Sequence, residues 1–316
     1  MLLKSTRERR RAQRMKIGLV GTGLMGLPMV ERLRTAGEFV TAWNRTASKL
    51  QPLKDAGAEL ASSAAELLRS SELILLMLTD APAIHEVLLV EECRSLLADR
   101  TVIQMGTIAP QESRDLHDEI RRSGGFYLEA PVLGSIPEAK AGTLQVMVGS
   151  TPEQFEQWSP ILRQLGMPRY VGEVGSAAAL KLALNQLIAA LTTAFSLSLG
   201  FVQRQNVPID TFMQVLRQSA LYAPTFDKKL QRMIDRDFAN PNFPTRHLLK
   251  DANLFLQEAR NLGLQVDSLA GIQHIIEIAC TEGLADADYS ALFAAVNPEA
   301  GNPEAGNPEA GNPECS

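Results

Sequence analysis

The stretch that most constrains this chain is Lys16-Ile17-Gly18-Leu19-Val20-Gly21-Thr22-Gly23-Leu24-Met25-Gly26-Leu27-Pro28-Met29-Val30. A short apolar run breaks at Gly21-Thr22-Gly23 and resumes with helical spacing through Met29, Val30 and Leu33. Strand, glycine turn and helix, in that order, form the context in which G-x-G-x-x-G marks a dinucleotide site. Gly21 permits the tight turn, Gly23 lets a pyrophosphate approach the backbone, and Gly26 lets the helix pack close to the strand. Thr22, Leu24 and Met25 complete the candidate phosphate loop. Free N–H groups at the helix start then face the phosphates, aided by the helix dipole.

Residues 38–43 read as a second strand, and its end bears on the cofactor. An NAD-type site places a carboxylate about twenty residues past the glycines, to bind the ribose hydroxyls. This chain has Asn44-Arg45-Thr46 instead. A guanidinium, an amide and a hydroxyl suit a 2′-phosphate, which a carboxylate would repel. The blander reading makes Arg45 a solvated loop residue and Thr46 a helix cap. NADP(H) is favoured, and NAD(H) stays open.

Strand and helix alternate onward, at 56–60 and 61–69, then at 73–78, a continuous apolar run suited to a strand buried on both faces. Further strands are expected at 101–104, 126–129 and 144–149, with helices at 83–89, 111–122 and 152–165. That alternation is the signature of a doubly wound sheet. From residue 176 the pattern is helix after helix: 176–205, 208–218, 228–236, 245–262, 266–282 and 286–295. The chain thus reads as an α/β Rossmann-type doubly wound domain, 15–175, followed by an all-α domain, 176–295, with its first helix a bridge. Ligands of such sheets lie at the carboxyl ends of the strands. Met77 and Leu78, ending the fourth strand, join the cofactor candidates there.

Both ends read as additions. Residues 1–14 carry Lys4, Arg7, Arg9, Arg10, Arg11 and Arg14 against Glu8. That is either a targeting segment or, the preferred reading, a basic extension ahead of a working start at Met15. Residues 296–316 repeat Asn-Pro-Glu-Ala-Gly, whose proline, glycine and charge cannot bury a core, so a disordered tail is expected. A formal net charge of −5 argues against a nucleic-acid partner. The most apolar segment, 177–202, is broken by Lys181, Asn185 and Gln186 and reads as a buried helix, not a membrane span. Cys93, Cys280 and Cys315 have neither disulfide nor zinc spacing, so a cytoplasmic location fits. His85, His117, His247 and His274 are isolated, and no metal is expected.

Lys181 and Asn185 are four residues apart and share one helix face, among Ala177, Ala178, Leu180 and Leu182. Such a lysine either snorkels its ammonium to solvent or sits in a dry cleft where its pKa is tuned for proton transfer. Position alone leaves both open.

Four blocks resemble the β-hydroxyacid dehydrogenases, a family that includes 3-hydroxyisobutyrate dehydrogenase, tartronate semialdehyde reductase and glyoxylate/succinic semialdehyde reductase. They are the glycine motif; Glu129-Ala130-Pro131-Val132-Leu133-Gly134-Ser135, continuing to Gly142-Thr143-Leu144 and Met147-Val148-Gly149; Gly172-Glu173-Val174-Gly175 with Lys181 and Asn185; and His247-Leu248-Leu249-Lys250-Asp251. The resemblance implies that Lys181 is the general acid–base and that Asn185 helps hold the substrate. It also implies that Lys250 contacts the cofactor near the nicotinamide; otherwise Lys250 is a helix-surface charge paired with a nearby acid. The implied reaction is direct hydride transfer between the nicotinamide and a substrate carbonyl. A homodimer or homotetramer is likewise implied.

The departures fall at the substrate. Where the family commonly has Asp-x-Ser-Thr, this chain has Gln104-Met105-Gly106-Thr107; Thr107 is kept as a candidate for cofactor and substrate. The usual Ser-Gly-Gly is here Leu133-Gly134-Ser135, and Ser135 is expected to take over part of the carboxylate binding. With Asn44-Arg45-Thr46, this tilts the resemblance towards the glyoxylate/succinic semialdehyde reductase branch. The favoured function is NADPH-dependent reduction of a small carboxylated aldehyde. The alternatives are an NAD-dependent 3-hydroxyisobutyrate dehydrogenase, or a related 3-hydroxyacid dehydrogenase, and a non-catalytic dinucleotide-binding sensor.

Overall fold

The leucine run at the fourth strand shows how the first half is built. In a computed structural model that describes residues 15–298, Leu73 and Leu75 face one core and Ile74 and Leu76 the other. The basic extension, the repeat tail and Cys315 lie outside the described residues. The strands are β1 (Lys16–Val20), β2 (Phe39–Trp43), β3 (Glu59–Leu60), β4 (Leu73–Leu76), β5 (Thr101–Gln104), β6 (Phe126–Glu129), β7 (Val132–Leu133), β8 (Leu144–Gly149) and β9 (Gly166–Gly172). The helices among them are α1 (Gly26–Thr35), α2 (Leu50–Asp55), α3 (Ala64–Ser70), α4 (Ala81–Leu88), α5 (Glu91–Arg94), α6 (Pro110–Arg122), α7 (Ile136–Ala141) and α8 (Pro152–Leu165).

The sheet order is β3-β2-β1-β4-β5-β6-β8-β7, with β9 on β8. From β3 to β6 every pair is parallel, the doubly wound arrangement expected. Beyond β6 the sheet departs from it. β8 pairs antiparallel with β6 and β7, and β9 parallel with β8. One core layer packs Met29, Val30 and Leu33 of α1 and Trp158, Leu162 and Leu165 of α8 against Ile17, Leu19 and Leu128. The other packs Leu67, Ile84, Leu116 and Ile120 of three helices against Ile74, Val102 and Tyr127. Two-sided burial is why these strands lack the alternation of a half-exposed sheet.

The helices that follow are α9 (Ser176–Arg204), α10 (Ile209–Arg217), α11 (Pro224–Ile234), α12 (Thr245–Asn261), α13 (Asp267–Ala279) and α14 (Leu292–Val296). Two compact units divide inside α9, between Leu184 and Asn185, rather than at the loop before it. α9 is not the wholly buried helix its composition suggests. By length and composition alone it passes as a membrane span, with a window of mean hydropathy 1.5. Its buried positions nonetheless form a stripe: Ala178, Lys181, Asn185, Ala189, Thr192 and Ser196 recur at three- and four-residue intervals, as on one face of a globular helix. Leu187, Leu197 and Phe201 lie exposed.

In the second unit, Phe195 and Phe226 stack with centroids 4.5 Å apart amid Met213, Met233, Phe238 and Phe293. Beside them lies a buried ion pair. Lys229 Nζ donates to both oxygens of Asp288, at 2.8 and 2.9 Å, and lies 4.3 Å from the Tyr289 ring centre. Asp288 also accepts from the Ser290 hydroxyl and N–H and from the Asn242 N–H. Burial alone would raise the Asp288 carboxyl, but Lys229 and Ser290 outweigh it and hold the group below its usual value.

Removing one partner of such a pair strands a buried charge. Asp288→Asn is expected to cost about 3–5 kcal/mol in urea unfolding, and Lys229→Met combined with Asp288→Asn much less. The depressed carboxyl contributes fully above the unfolded value of 3.8 and loses that contribution as the pH falls through the lower folded value. A cost below about 1 kcal/mol for the single variant would show that the pair is not holding this unit.

Candidate active site

The glycine turn has the three different spaces its spacing anticipates. Gly21 has φ +91°, and a side chain there would strike the Met77 carbonyl carbon at 2.8 Å. At Gly26 a Cβ would lie 2.0 Å from the Gly21 carbonyl oxygen. Around Gly23 nothing lies within 4 Å of where a Cβ would be. The start of α1 has no side-chain cap and no acidic residue in its first turn. Uncapped N–H groups above an open glycine are the donor set a pyrophosphate needs. The loop of Gly21, Thr22, Gly23, Leu24, Met25 and Gly26 therefore fits a dinucleotide.

At the end of β2, Asn44 is already engaged. Its Nδ2 donates to Thr22 Oγ1, and its Oδ1 accepts from the Thr46 N–H, both at 2.8 Å. It ties the glycine turn to the neighbouring loop. Arg45 is exposed and reaches Glu86 Oε2 on α4 at 3.2 Å. Glu86 is a carboxylate beside the expected phosphate position that sequence spacing does not reveal.

The ends of β4 and β5 come together. Besides Met77, Leu78 approaches Gly21, its Cδ2 lying 2.9 Å from where a Cβ would be. A Cβ on Gly106 would in turn lie 2.4 Å from the Leu78 carbonyl oxygen. The buried Gln104 amide takes both polar atoms of Gly106, accepting from its N–H at 2.5 Å and donating to its carbonyl at 3.1 Å. Gln104 and Gly106 are thus joined through two hydrogen bonds, and Thr107 follows directly.

In the next loop, Gly134 has φ +135°, and Leu133 ends β7. Ser135 opens α7 but does not present a spare hydroxyl hydrogen. Its N–H and its Oγ both donate to Glu138 Oε2, at 2.8 and 2.6 Å. A carboxylate arriving there competes with Glu138.

On α9, Lys181 is 9% exposed and Asn185 2%. Lys181 is therefore a covered side chain rather than an exposed surface lysine. In the second unit Asn185 Nδ2 donates to Asp251 Oδ2 at 2.5 Å. The amide orientation follows, because its NH₂ group must face the carboxylate. Asn185 Oδ1 is left buried without a hydrogen bond. Lys250 Nζ lies 2.9 Å from Asp251 Oδ1, an ion pair whose geometry is not that of a hydrogen bond. Asp251, 2% exposed, closes the His247-Leu248-Leu249-Lys250-Asp251 block and is a polar residue to which the sequence alone assigns no role. Burial, reinforced by Arg246 and Lys250, pushes His247 below the usual imidazole range, so it is neutral near pH 7.

A doubly wound domain with this turn and the helical half after it define an NAD(P)-dependent oxidoreductase. The family model described as the NAD binding domain of 6-phosphogluconate dehydrogenase matches residues 16–175. The model described as NAD-binding of NADP-dependent 3-hydroxyisobutyrate dehydrogenase matches residues 175–296. The chain belongs to the β-hydroxyacid dehydrogenase family. It is 33% identical to 2-hydroxy-3-oxopropionate reductase of Escherichia coli (strain K12) over 288 residues, covering 89% of this chain and 97% of that protein. It is 30% identical to the chloroplastic glyoxylate/succinic semialdehyde reductase 2 of Arabidopsis thaliana, covering 89% of this chain and 79% of the relative. In fold it is similar to 3-hydroxyisobutyrate dehydrogenase of Mycobacterium tuberculosis, solved with L-serine, at a TM-score of 0.81 and 20% identity over 90% of this chain and 99% of that one.

The three glycine spaces can be told apart experimentally. Gly23→Ala should leave the stability of the ligand-free protein within about 1 kcal/mol and weaken dinucleotide binding at least about tenfold, or about 1.4 kcal/mol. Gly26→Ala should instead destabilise the ligand-free protein by about 1–3 kcal/mol. Thermal unfolding and a fluorescence titration with NADPH measure the two effects. Unaltered NADPH binding by Gly23→Ala would remove this loop from the cofactor site.

Proposed function

We propose that this chain is an NADPH-dependent reductase of small carboxylated aldehydes, of the kind named by succinic semialdehyde and glyoxylate, with Lys181 as the proton donor. The observation that carries the reading is the burial of Lys181 on the same helix face as Asn185. The two relatives of 30% and 33% identity support it, since both are named as reductases of carboxylated carbonyl compounds.

A bound reduced nicotinamide supplies the hydride to the carbonyl carbon. The Lys181 ammonium donates a hydrogen bond to the carbonyl oxygen, stabilises the charge growing there and then passes it a proton. Asn185, its NH₂ group held by Asp251, offers Oδ1 as an acceptor to a substrate hydroxyl or to an ammonium. Lys250 stays near the nicotinamide end through its pairing with Asp251. Thr107 and the Leu133-Gly134-Ser135 loop hold the rest of the substrate. Leu187, Leu197 and Phe201, exposed on α9, are covered in a homodimer or homotetramer.

NADPH is favoured because no carboxylate of β2 stands where ribose hydroxyls would be read and Arg45 stands there instead. Its exposed pairing with Glu86 is of a kind worth about 0–1 kcal/mol. A 2′-phosphate, dianionic and able to take a guanidinium bidentately, displaces such a partner.

Lys181→Met should lower turnover of succinic semialdehyde or glyoxylate by about 10²–10⁴-fold with little change in NADPH affinity. Turnover close to the parent's would take Lys181 out of the chemistry. Arg45→Asp should weaken NADPH binding by about tenfold or more, about 1.4 kcal/mol, and NADH binding far less. Equal effects on both nucleotides, or a parent enzyme that prefers NADH in steady-state rates, would refute the phosphate assignment.

A further inference from the structure

Glu129 ends β6 and is 1% exposed. Its Oε1 accepts from the backbone N–H groups of Gly175 and Ala177, both at 2.8 Å, and of Ala178 at 3.1 Å. Its Oε2 accepts from the Ser113 hydroxyl on α6, which also meets the Tyr127 hydroxyl at 2.8 Å. Room for the carboxylate comes from Gly149, its partner in the β6–β8 pairing. A methyl group at position 149 would lie 2.8 Å from Glu129 Cγ and 2.9 Å from Cδ.

This is a costly way to end a helix. Burial raises the Glu129 carboxyl above its usual range, against the pull of Ser113 and the three N–H groups. A local serine or aspartate cap satisfies such N–H groups at the surface without burying an acid. What a local cap cannot do is join the helix to the sheet. Glu129 is the last residue of a sheet strand, and the N–H groups it holds belong to the turn of backbone that leads into Lys181.

We propose that Glu129 is a positioning residue for this reaction: its carboxylate ties the first turn of α9 to the carboxyl end of β6 and so fixes the place and direction of the Lys181 amine. The proposal rests on Lys181 being the proton donor. Glu129 itself touches neither substrate nor cofactor. It acts through the helix, and Ser113 and Gly149 serve it by filling one oxygen and leaving the space.

Glu129→Gln keeps the size but turns an NH₂ group towards N–H or O–H donors. Gly149→Ala leaves Glu129 intact and displaces its carboxylate by crowding. Both should lower kcat per folded enzyme by about 10- to 100-fold, the scale of an ångström-sized misplacement, while NADPH affinity changes less than about threefold. Hydrogen exchange of amides 175–181 should quicken by about tenfold as their acceptor is lost, and acylation of Lys181 by an amine reagent, read by mass spectrometry, should change at least about threefold with its surroundings. Where Glu129→Gln does not fold, Ser113→Ala, which removes one donor of four, carries the same measurements. Unchanged kcat per folded enzyme alongside a lowered melting temperature would make Glu129 only a buttress and overturn the proposal. Unchanged exchange at 175–181 in both variants would overturn it too. A parent protein without turnover on these aldehydes would refute the reductase reading alone, and the exchange and acylation measurements would still decide the role of Glu129.

Discussion

The carbonyl of Gly21 lies against Gly26 with no room for a side chain between them, and the cofactor end of this protein depends on that backbone contact. It presses the start of α1 onto the end of β1. On the other side of the turn, Gly21 meets Met77, and Leu78 meets Gly106. Three strand ends are thereby drawn together through positions that exclude Cβ atoms. Backbone packed on backbone has few ways to relax. Gly23 is the exception. It faces open space because its neighbours have taken up the close contacts.

The far side of the first unit is held by different physics. There a buried acid gathers three backbone N–H groups and a serine hydroxyl, and burial works against it. Backbone packing tolerates no intruding atom, whereas a polar network tolerates no missing partner. One contact fixes the glycine turn, the other the turn of backbone from which the helix of the buried Lys181 starts.

Much of this was legible in the sequence because it rests on periodicity and on glycine spacing. Strands buried on both faces are often apolar without interruption, and β4 is read directly from that. β7 and β9 were not legible. β7 has two residues, and β9 includes Gly166, Pro168 and Gly172, so neither shows an alternating pattern, and both owe their pairing to β8. α9 was legible as a helix but not in its exposure, since an apolar residue carries no mark of whether another surface covers it. Among polar groups, Lys181 and Asn185 stood out by sharing a helix face. Asp251, Glu86, Glu129 and Glu138 act through partners between 3 and 66 residues away in the chain, and even the shortest of these spacings looks like an ordinary helix cap.

Ser135 shows what such hidden partners do to a functional reading. A hydroxyl and an N–H at the start of a short helix look like a receptor for a substrate carboxylate. Here both already donate to Glu138, whose return to the first turn is the usual way a helix start is closed. Such a cap is worth about 0.5–2 kcal/mol, and a hydrogen bond to a charged acceptor about 1.5–3 kcal/mol. A substrate carboxylate offering one such bond to Ser135 gains little by displacing Glu138, and it brings a second negative charge beside the first. To hold a carboxylate at this loop the chain must supply donors that Glu138 does not reach. Gly106 cannot be one of them, because its N–H is already held by Gln104.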